Sequence, residues 1–310
     1  MKDATPEEIG RKMDALGLWD AAMPCNWVVK PAGTAFPYFC TVLKDEGPLV
    51  KIRFMMLEGW QTFHDFVRTR VDRDFGFYST PMELPHFELV VDATGGAHLF
   101  RHDPGYVPRA LDEREKVLCA KILWEAYGVM MRLESDAKLP MKYADERAMF
   151  ARVESSPGTW SDAPMAISNP PPYVENVTFP KALLEKAKDL PFAKDEAIEL
   201  DFRIMPNMMT REPRPRLAYQ LAAFASGTGE RVMMERCSVT RDVPLKALWE
   251  NMPRRVLENL VARGRVPGEI KVLSTRVFRM LRALCLELPF RLSLHDALPS
   301  YVEALKACAG

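Results

Sequence analysis

The sequence predicts an α+β protein of two domains, and three observations support this. The chain has 310 residues, a length that favours two domains over one. Helical and strand-like apolar patterns are mixed along its whole length. The run Asn169-Pro170-Pro171-Pro172 is typical of a semi-rigid linker. We therefore expect an N-terminal α+β domain with an antiparallel sheet over 1–168 and a C-terminal α/β domain with a mixed sheet over 173–310.

The first domain is predicted to begin with a helix, because Thr5 and Pro6 followed by two glutamates form a capped helix start. Apolar spacing then predicts helices over 6–19, 58–71 and 111–133, and strands over 27–29, 38–43, 49–57, 87–92, 97–101 and 141–154. The turn Thr94-Gly95-Gly96 indicates that the fourth and fifth strands form a hairpin. Helices and antiparallel strands are therefore mixed in this domain.

The second domain has its clearest pattern between Gly268 and Leu305. A short apolar run at 269–273, a helical stripe at 277–288, an alternating run at 290–294 and a final helix follow one another. Strands joined through a helix are most often parallel neighbours, so we expect a parallel pair covered by helices. Upstream, we expect a helix at 180–190, strands at 197–205, 216–225 and 231–239, and a helix at 244–263 kinked at Pro253. The predicted order of this domain is β-β-β-α-β-α-β-α.

The composition is that of an ordinary globular protein, 48% hydrophobic and 27% charged. Lys+Arg and Asp+Glu each number 42, so no net charge attracts nucleic acid or an anionic membrane. The amino terminus lacks the apolar core of a secretory signal, and no apolar run is long enough for a membrane span. The six cysteines form no C-x-x-C pair, which favours buried free thiols in a cytoplasmic protein over a zinc site.

Motifs of several enzyme classes are absent from the sequence. It contains no G-x-S-x-G elbow, no Walker loop and no G-x-G-x-x-G, which argues against α/β-hydrolases, P-loop proteins and dinucleotide-binding domains. His98 and His102, in the pattern H-x-x-x-H beside Asp103, have side chains that suit zinc or iron. Because they lie on a strand leading into Pro104-Gly105, we interpret them as surface groups. We therefore expect no metal site and no cofactor.

The element order over 197–309 resembles that of the ribonuclease H-like fold. The resemblance implies one carboxylate in the first strand, one in or near the first helix and one at the end of the fourth strand, which together hold two divalent ions. Asp201 matches the first position, and Glu250 or Glu258 the second. The fourth strand ends at Ser274 without a carboxylate. Strand alternation alone places Asp201 on a solvent-exposed face, with Glu199 and Arg203 beside it.

The whole chain is also similar to a group of uncharacterised bacterial proteins. The similarity rests on the Leu18-Trp19 pair, on the strand entry Pro267-Gly268-Glu269-Ile270-Lys271-Val272 and on the Leu298-Pro299 step. These motifs are structural, so the resemblance implies a two-module protein of unknown function and no activity.

Three functional hypotheses follow from the sequence. The first, which we favour, is a non-catalytic binding or interaction module with a protein partner or a second copy of itself. The second is a divalent-metal nuclease or other phosphoryl-transfer enzyme that uses Asp201 and Glu258. The third is a nucleic-acid-binding protein, for which four arginines form an anion-binding surface: Arg254, Arg276, Arg279 and Arg282. A solvated face balanced by glutamates is the alternative interpretation of these arginines.

Overall fold

The structure is a computed structural model that describes residues 4–16, 27–44, 50–71, 83–170, 177–209 and 213–309. The Leu18-Trp19 pair and Pro171-Pro172 of the proposed linker lie outside these ranges. The chain divides into two compact units. Unit 1 comprises Met1–Val67, Leu84–Pro104 and Pro108–Pro171, and unit 2 comprises Arg68–Glu83, Gly105–Val107 and Pro172–Gly310. Within the described ranges, each unit contains one mixed sheet with helices, as predicted for the α+β class, and no helix is suited to crossing a membrane.

Unit 1 is built on a seven-stranded sheet of the described residues, in the order β5-β4-β3-β2-β1-β6-β7. Its elements are α1 (Pro6–Ala15), β1 (Trp27–Lys30), β2 (Tyr38–Lys44), β3 (Val50–Glu58), α2 (Gly59–Val71), β4 (His86–Asp92), β5 (Ala97–His102), α3 (Glu113–Ser135), β6 (Ala148–Ser156) and β7 (Thr159–Ala166). A short 3-10 helix, Pro140–Lys142, follows α3. The predicted hairpin of β4 and β5 is confirmed, with His86 opposite His102.

This sheet differs from the prediction from the sequence in two ways. It was expected to be antiparallel, but β1 and β6 pair in parallel, with Val28 opposite Ala151. The reason is that the chain passes through α3 between β5 and β6, and so reaches the far side of β1 in the same direction as β1. Strand β7 was not predicted, because Thr159–Ala166 has little apolar character and contains Pro164. As the outermost strand of the sheet, β7 tolerates a proline.

The two faces of the unit 1 sheet are covered by different helices. We call them the α3 face, where α1 and α3 pack on Trp27, Phe54 and Phe87, and the α2 face, where Phe66 packs on Phe39 and Met55. Residues at alternate positions of each strand therefore have different surroundings. The polar residues His86, Glu88 and His102, described below, lie on the α2 face.

Unit 2 is built on a five-stranded sheet of the described residues, in the order β10-β9-β8-β11-β12. Its elements are α4 (Lys181–Lys188), β8 (Phe192–Met209), β9 (Leu217–Ala225), β10 (Arg231–Ser238), α5 (Leu245–Glu250), α6 (Met252–Arg263), β11 (Val266–Val272), α7 (Thr275–Cys285), β12 (Arg291–Leu294) and α8 (Pro299–Ala309). Strands β8, β9 and β10 are antiparallel, and β11 is parallel to both β8 and β12. The predicted parallel pair, β11 and β12, is confirmed.

Helices cover both faces of the unit 2 sheet. Helices α6 and α7 pack on the face that carries Leu200 and Ile270, whereas Tyr301 of α8 packs on the opposite face against Phe224. The kinked helix expected around Pro253 is two helices. Helix α5 ends at Glu250, and Pro253 lies in the first turn of α6, where its missing N–H has no helical acceptor to lose.

Four cysteines whose side chains the structure describes are free thiols: Cys40, Cys119, Cys237 and Cys285. Burial raises the pKa of Cys237 to about 11 and holds the pKa values of Cys40 and Cys119 well above their usual range. The thiols of Cys40, Cys119 and Cys237 are therefore protonated, and unreactive as nucleophiles, at neutral pH.

Candidate functional sites

Asp201 lies on β8, but the face that carries it is not exposed. Alternation along β8 does place it with Glu199 and Arg203, on the side opposite Leu200. However, Asp201 is only 7% exposed and Glu199 only 2%, which corrects the expectation from the sequence. The reason is that α8 packs on this face, an arrangement that strand periodicity alone does not reveal.

Glu199 holds the start of α8. Its Oε2 accepts a hydrogen bond from the backbone N–H of Tyr301 at 2.9 Å, in the first turn of α8. Its Oε1 accepts one from Ser226 Oγ at 3.0 Å, and Ser226 Oγ in turn accepts one from Lys271 Nζ at 3.0 Å. First-turn N–H groups have no partner within their own helix. Glu199, which lies on β8, therefore acts as a cap for α8.

The structure does not bring Asp201 and Glu258 together. Asp201 Oδ1 accepts a hydrogen bond from the backbone N–H of Phe202 at 2.9 Å. Glu258 lies on α6, which packs on the other face of the sheet, and its Oε1 accepts from Arg254 Nε at 2.8 Å. At the end of β11, Ser274 caps α7 instead of supplying a carboxylate.

Arg276 and Arg254, both proposed to bind an anion, are paired with carboxylates. Arg276 Nη1 lies 2.7 Å from Glu83 Oε2, and its guanidinium group lies 3.7 Å from the centre of the Trp249 ring. Trp249 Nε1 also donates to Glu83, at 3.1 Å. Burial raises the pKa of Glu83, and Arg276 and Trp249 oppose this effect. The second pair is Arg254 with Glu258.

The remaining two arginines lie on α7, where Arg279 is half-buried and Arg282 is exposed. Arg254 is on α6 and lines a groove of about 420 Å³ together with Glu250 and Asn251. Because carboxylates accompany the arginines, the surface of these helices carries mixed charge.

A cluster of two histidines and a glutamate lies on the α2 face of unit 1. His86 and Glu88 are alternate residues of β4, and His102 on β5 is directly opposite His86. Ligand atoms of the three side chains, one from each, lie within 4.8 Å of one another, and all three residues are buried. Their positions on two paired strands hold them in this arrangement.

Each side chain of this cluster has a defined hydrogen bond. His86 Nδ1 lies 2.7 Å from the carbonyl oxygen of Leu84, which only accepts, so Nδ1 carries the proton. Burial lowers the pKa of His86 to about 3, so the ring is neutral and its Nε2 is a bare acceptor. Glu88 Oε2 lies 2.8 Å from His102 Nε2, and Glu88 Oε1 accepts from Arg53 Nη1 at 3.0 Å.

The pKa of Glu88 is lowered to about 2. Burial acts in the opposite direction, but the hydrogen bond from His102 and the electrostatic effects of His102, His86 and Arg53 outweigh it. Glu88 is therefore an anion at neutral pH. Two ring nitrogens of the cluster have no hydrogen-bond partner, His86 Nε2 and His102 Nδ1.

Comparisons of the chain with protein-family models, curated proteins and solved structures found no match.

The interpretation of His98 and His102 as surface groups is wrong for His102, because it is buried opposite His86. Four residues of a strand span about 13 Å, so His98 and His102 are too far apart to share one ion. His98 instead binds Asp92 at 3.1 Å and is largely exposed, and Asp103 pairs with Arg101. The signal that was missed is the alternate pair of His86 and Glu88, which the hairpin register places opposite His102.

Two imidazoles and a carboxylate can perform two kinds of chemistry. They can bind a transition metal ion, because neutral imidazole and carboxylate are its usual ligands. A hydrogen-bonded pair such as His102 and Glu88 can also transfer a proton. The two ring nitrogens without partners favour metal binding, because proton transfer between His102 and Glu88 would not involve His86 Nε2.

Proposed function

We propose that unit 2 is a ribonuclease H-like domain that binds an extended polypeptide and does not catalyse hydrolysis. The sheet order β10-β9-β8-β11-β12, with three antiparallel strands followed by two parallel ones, supports the ribonuclease H-like assignment. The observation that carries the proposed function is the outer edge of β10, an eight-residue strand with which no other described strand pairs on that side.

The placement of the carboxylates supports binding over catalysis. A two-metal site needs several carboxylates around two ions about 3.5–4 Å apart. Both oxygens of Glu199 accept hydrogen bonds from protein groups, Glu258 lies with α6 on the other face, and Ser274 occupies the end of β11. A nuclease that uses Asp201 remains the alternative hypothesis.

An extended segment is the ligand that an open strand edge recognises, through its backbone N–H and C=O groups. A short segment of this chain already pairs in this way with the residues that lead into β9, through a bridge between Tyr106 and Arg216. Val107 N–H donates to Pro215 O at 3.0 Å, and Leu217 N–H donates to Gly105 O at 2.9 Å. Arg231 and Arg236 of β10 are exposed, so a partner strand with acidic side chains suits this edge.

Selection from a random peptide display library on the immobilised full chain tests the binding hypothesis. Consecutive N–H groups of an edge strand point alternately towards and away from its neighbour, so Arg236→Pro and Cys237→Pro form a matched pair. We expect one variant to lose stability. The other should keep the melting temperature of the parent and lose binding of the selected peptides. Peptides that bind the parent and the stable variant equally well would contradict strand addition.

A cleavage assay tests the alternative hypothesis. The full chain is incubated with labelled single- and double-stranded DNA and RNA in Mg²⁺ or Mn²⁺, beside Asp201→Asn. We expect no cleavage that depends on Asp201. Metal-dependent cleavage by the parent that Asp201→Asn abolishes would establish the nuclease hypothesis and overturn the non-catalytic one.

A further inference from the structure

We propose that His86, Glu88 and His102 of unit 1 bind one divalent transition metal ion of the zinc class. This site is separate from the strand edge proposed for unit 2 and uses none of its residues. Two imidazoles and one carboxylate suit zinc and similar ions, whereas magnesium and calcium prefer a shell of oxygen atoms.

The surroundings of the cluster resemble the outer shell of a metal site. Metal-binding histidines usually donate their other ring N–H to a carbonyl or carboxylate, and metal-binding carboxylates accept further hydrogen bonds. Here the backbone carbonyl of Leu84 fixes His86 in the tautomer that leaves Nε2 bare, and Arg53 binds the Glu88 oxygen that faces away from His102. The Leu84 carbonyl therefore fixes the tautomer of His86, and Arg53 holds one oxygen of Glu88.

The nitrogens without partners provide an energetic reason for a ligand. His86 Nε2 and His102 Nδ1 are buried and accept or donate no hydrogen bond. A buried polar atom that loses water without gaining a partner is unfavourable for folding. An ion bound to His86 Nε2 would satisfy that atom. Hydrophobic side chains of similar shape would stabilise the fold without leaving buried nitrogens unpaired.

Ion binding requires a local rearrangement. The rings of His86 and His102 are stacked, with centres 4.1 Å apart and planes 14° apart. An imidazole nitrogen donates its lone pair in the plane of the ring, and two nearly parallel planes share no point within bonding distance of both nitrogens. One ring must therefore rotate about its Cβ–Cγ bond.

Coordination also changes the spacing of the ligands. Metal–ligand bonds of about 2.1 Å in a tetrahedral site place ligand atoms about 3.4 Å apart, and the present set lies within 4.8 Å. Coordination to Glu88 and His102 would replace their direct hydrogen bond. The cluster among the described residues supplies three ligands, which leaves a fourth position for water or a small ligand, as in zinc sites that perform chemistry.

The test uses the full chain, treated with a chelator and then titrated with Zn²⁺ in competition with a chromophoric chelator. We expect one ion per chain, and more than about 100-fold weaker binding in His86→Gln, Glu88→Gln and His102→Gln. The matched control is His98→Gln, on the same hairpin, which should bind as the parent does. Equal affinity of the parent and all three cluster variants would overturn the proposal.

A second measurement does not depend on how well the variants fold. X-ray absorption of the zinc-loaded parent should show imidazole nitrogen and carboxylate oxygen neighbours at about 2.0–2.1 Å. Sulfur neighbours, or a spectrum without imidazole scattering, would place the ion elsewhere and contradict the assignment. The zinc titration also distinguishes this site from the Asp201 hypothesis, because Asp201→Asn should leave Zn²⁺ binding unchanged.

Discussion

Glu199 provides the sharpest test of whether the carboxylates of β8 are structural. Its two oxygens accept hydrogen bonds from the N–H of Tyr301 and from Ser226 Oγ. A hydrogen bond to a charged group contributes about 1.5–3 kcal/mol, and a neutral one about 0.5–1.5 kcal/mol. Replacement of Glu199 by alanine should remove a charged acceptor from both donors and leave the first turn of α8 uncapped. We expect the variant to be about 2–4 kcal/mol less stable than the parent.

Glutamine at the same position should be milder. Its carbonyl oxygen can accept from Tyr301 N–H, and its amide can donate to Ser226 Oγ, which retains an acceptor site. Glu199→Gln should therefore cost about 1 kcal/mol, chiefly from the lost charge. The matched control is Glu303→Ala, an exposed position of α8, which should change stability by less than about 0.5 kcal/mol.

Urea unfolding followed by circular dichroism measures these differences. With a urea dependence of about 2 kcal/mol per molar, Glu199→Ala should lower the midpoint by about 1–2 M. Hydrogen exchange in α8 should accelerate in this variant more than exchange in α6 does. A midpoint for Glu199→Ala equal to that of Glu303→Ala would refute the capping argument. Glu199 would then be available for another role.

Three further predictions concern a glycine in β11, a glycine in α3 and the pH dependence of unit 1. Gly268→Ala should destabilise unit 2 by several kcal/mol, because a β-carbon there would collide with the carbonyl of Lys194, and thermal unfolding would detect it. Gly128→Ala, in the interior of α3 with open space around it, should instead stabilise by about 0.5–1 kcal/mol, and the opposite ranking would contradict both arguments. Glu154 has a lowered pKa because hydrogen bonds from Lys121 and two backbone N–H groups outweigh the opposing effect of burial. Its contribution is therefore present above its unfolded pKa of 4.5 and is lost as the pH falls, so the stability difference between the parent and Glu154→Gln should shrink from pH 7 to pH 4.

Local chemistry made several features of the fold predictable. Thr5 and Glu8 form the capping box that begins α1, as their spacing suggests. The Gly95 turn fixes the β4–β5 hairpin, and the apolar stripe of 277–288 marks α7, although α7 ends at Cys285. In each of these cases the residues that decide the structure are near neighbours in the sequence.

Features that depend on distant segments were not predictable in the same way. Asp201 is buried because α8, about a hundred residues later, covers its face of the sheet. The parallel pairing of β1 with β6 depends on the path through α3. The histidine cluster needed the register of the β4–β5 hairpin, which brings His102 opposite His86. Alternation along one strand gives the side of a residue but not what covers that side.

Some buried polar groups of this protein have protein hydrogen-bond partners, and others contain atoms without one. At Glu199 each carboxylate oxygen has a protein donor, and the carboxylate of Glu83 accepts from Trp249 and Arg276, so both groups are explained by packing alone. Other buried polar atoms without a partner also occur, such as Trp27 Nε1 and the acceptor Gln220 Oε1.

The histidine cluster on the α2 face is different in kind. It has two unpartnered ring nitrogens beside a carboxylate that is already ionised and oriented. Packing explains an isolated donor such as Trp27 Nε1, because the rest of that side chain is apolar and lies in the hydrophobic core. Packing does not explain why His86 is held by Leu84 in the tautomer that turns a bare lone pair into the interior. A bound cation explains the tautomer, the unpartnered nitrogen and the adjacent anion together.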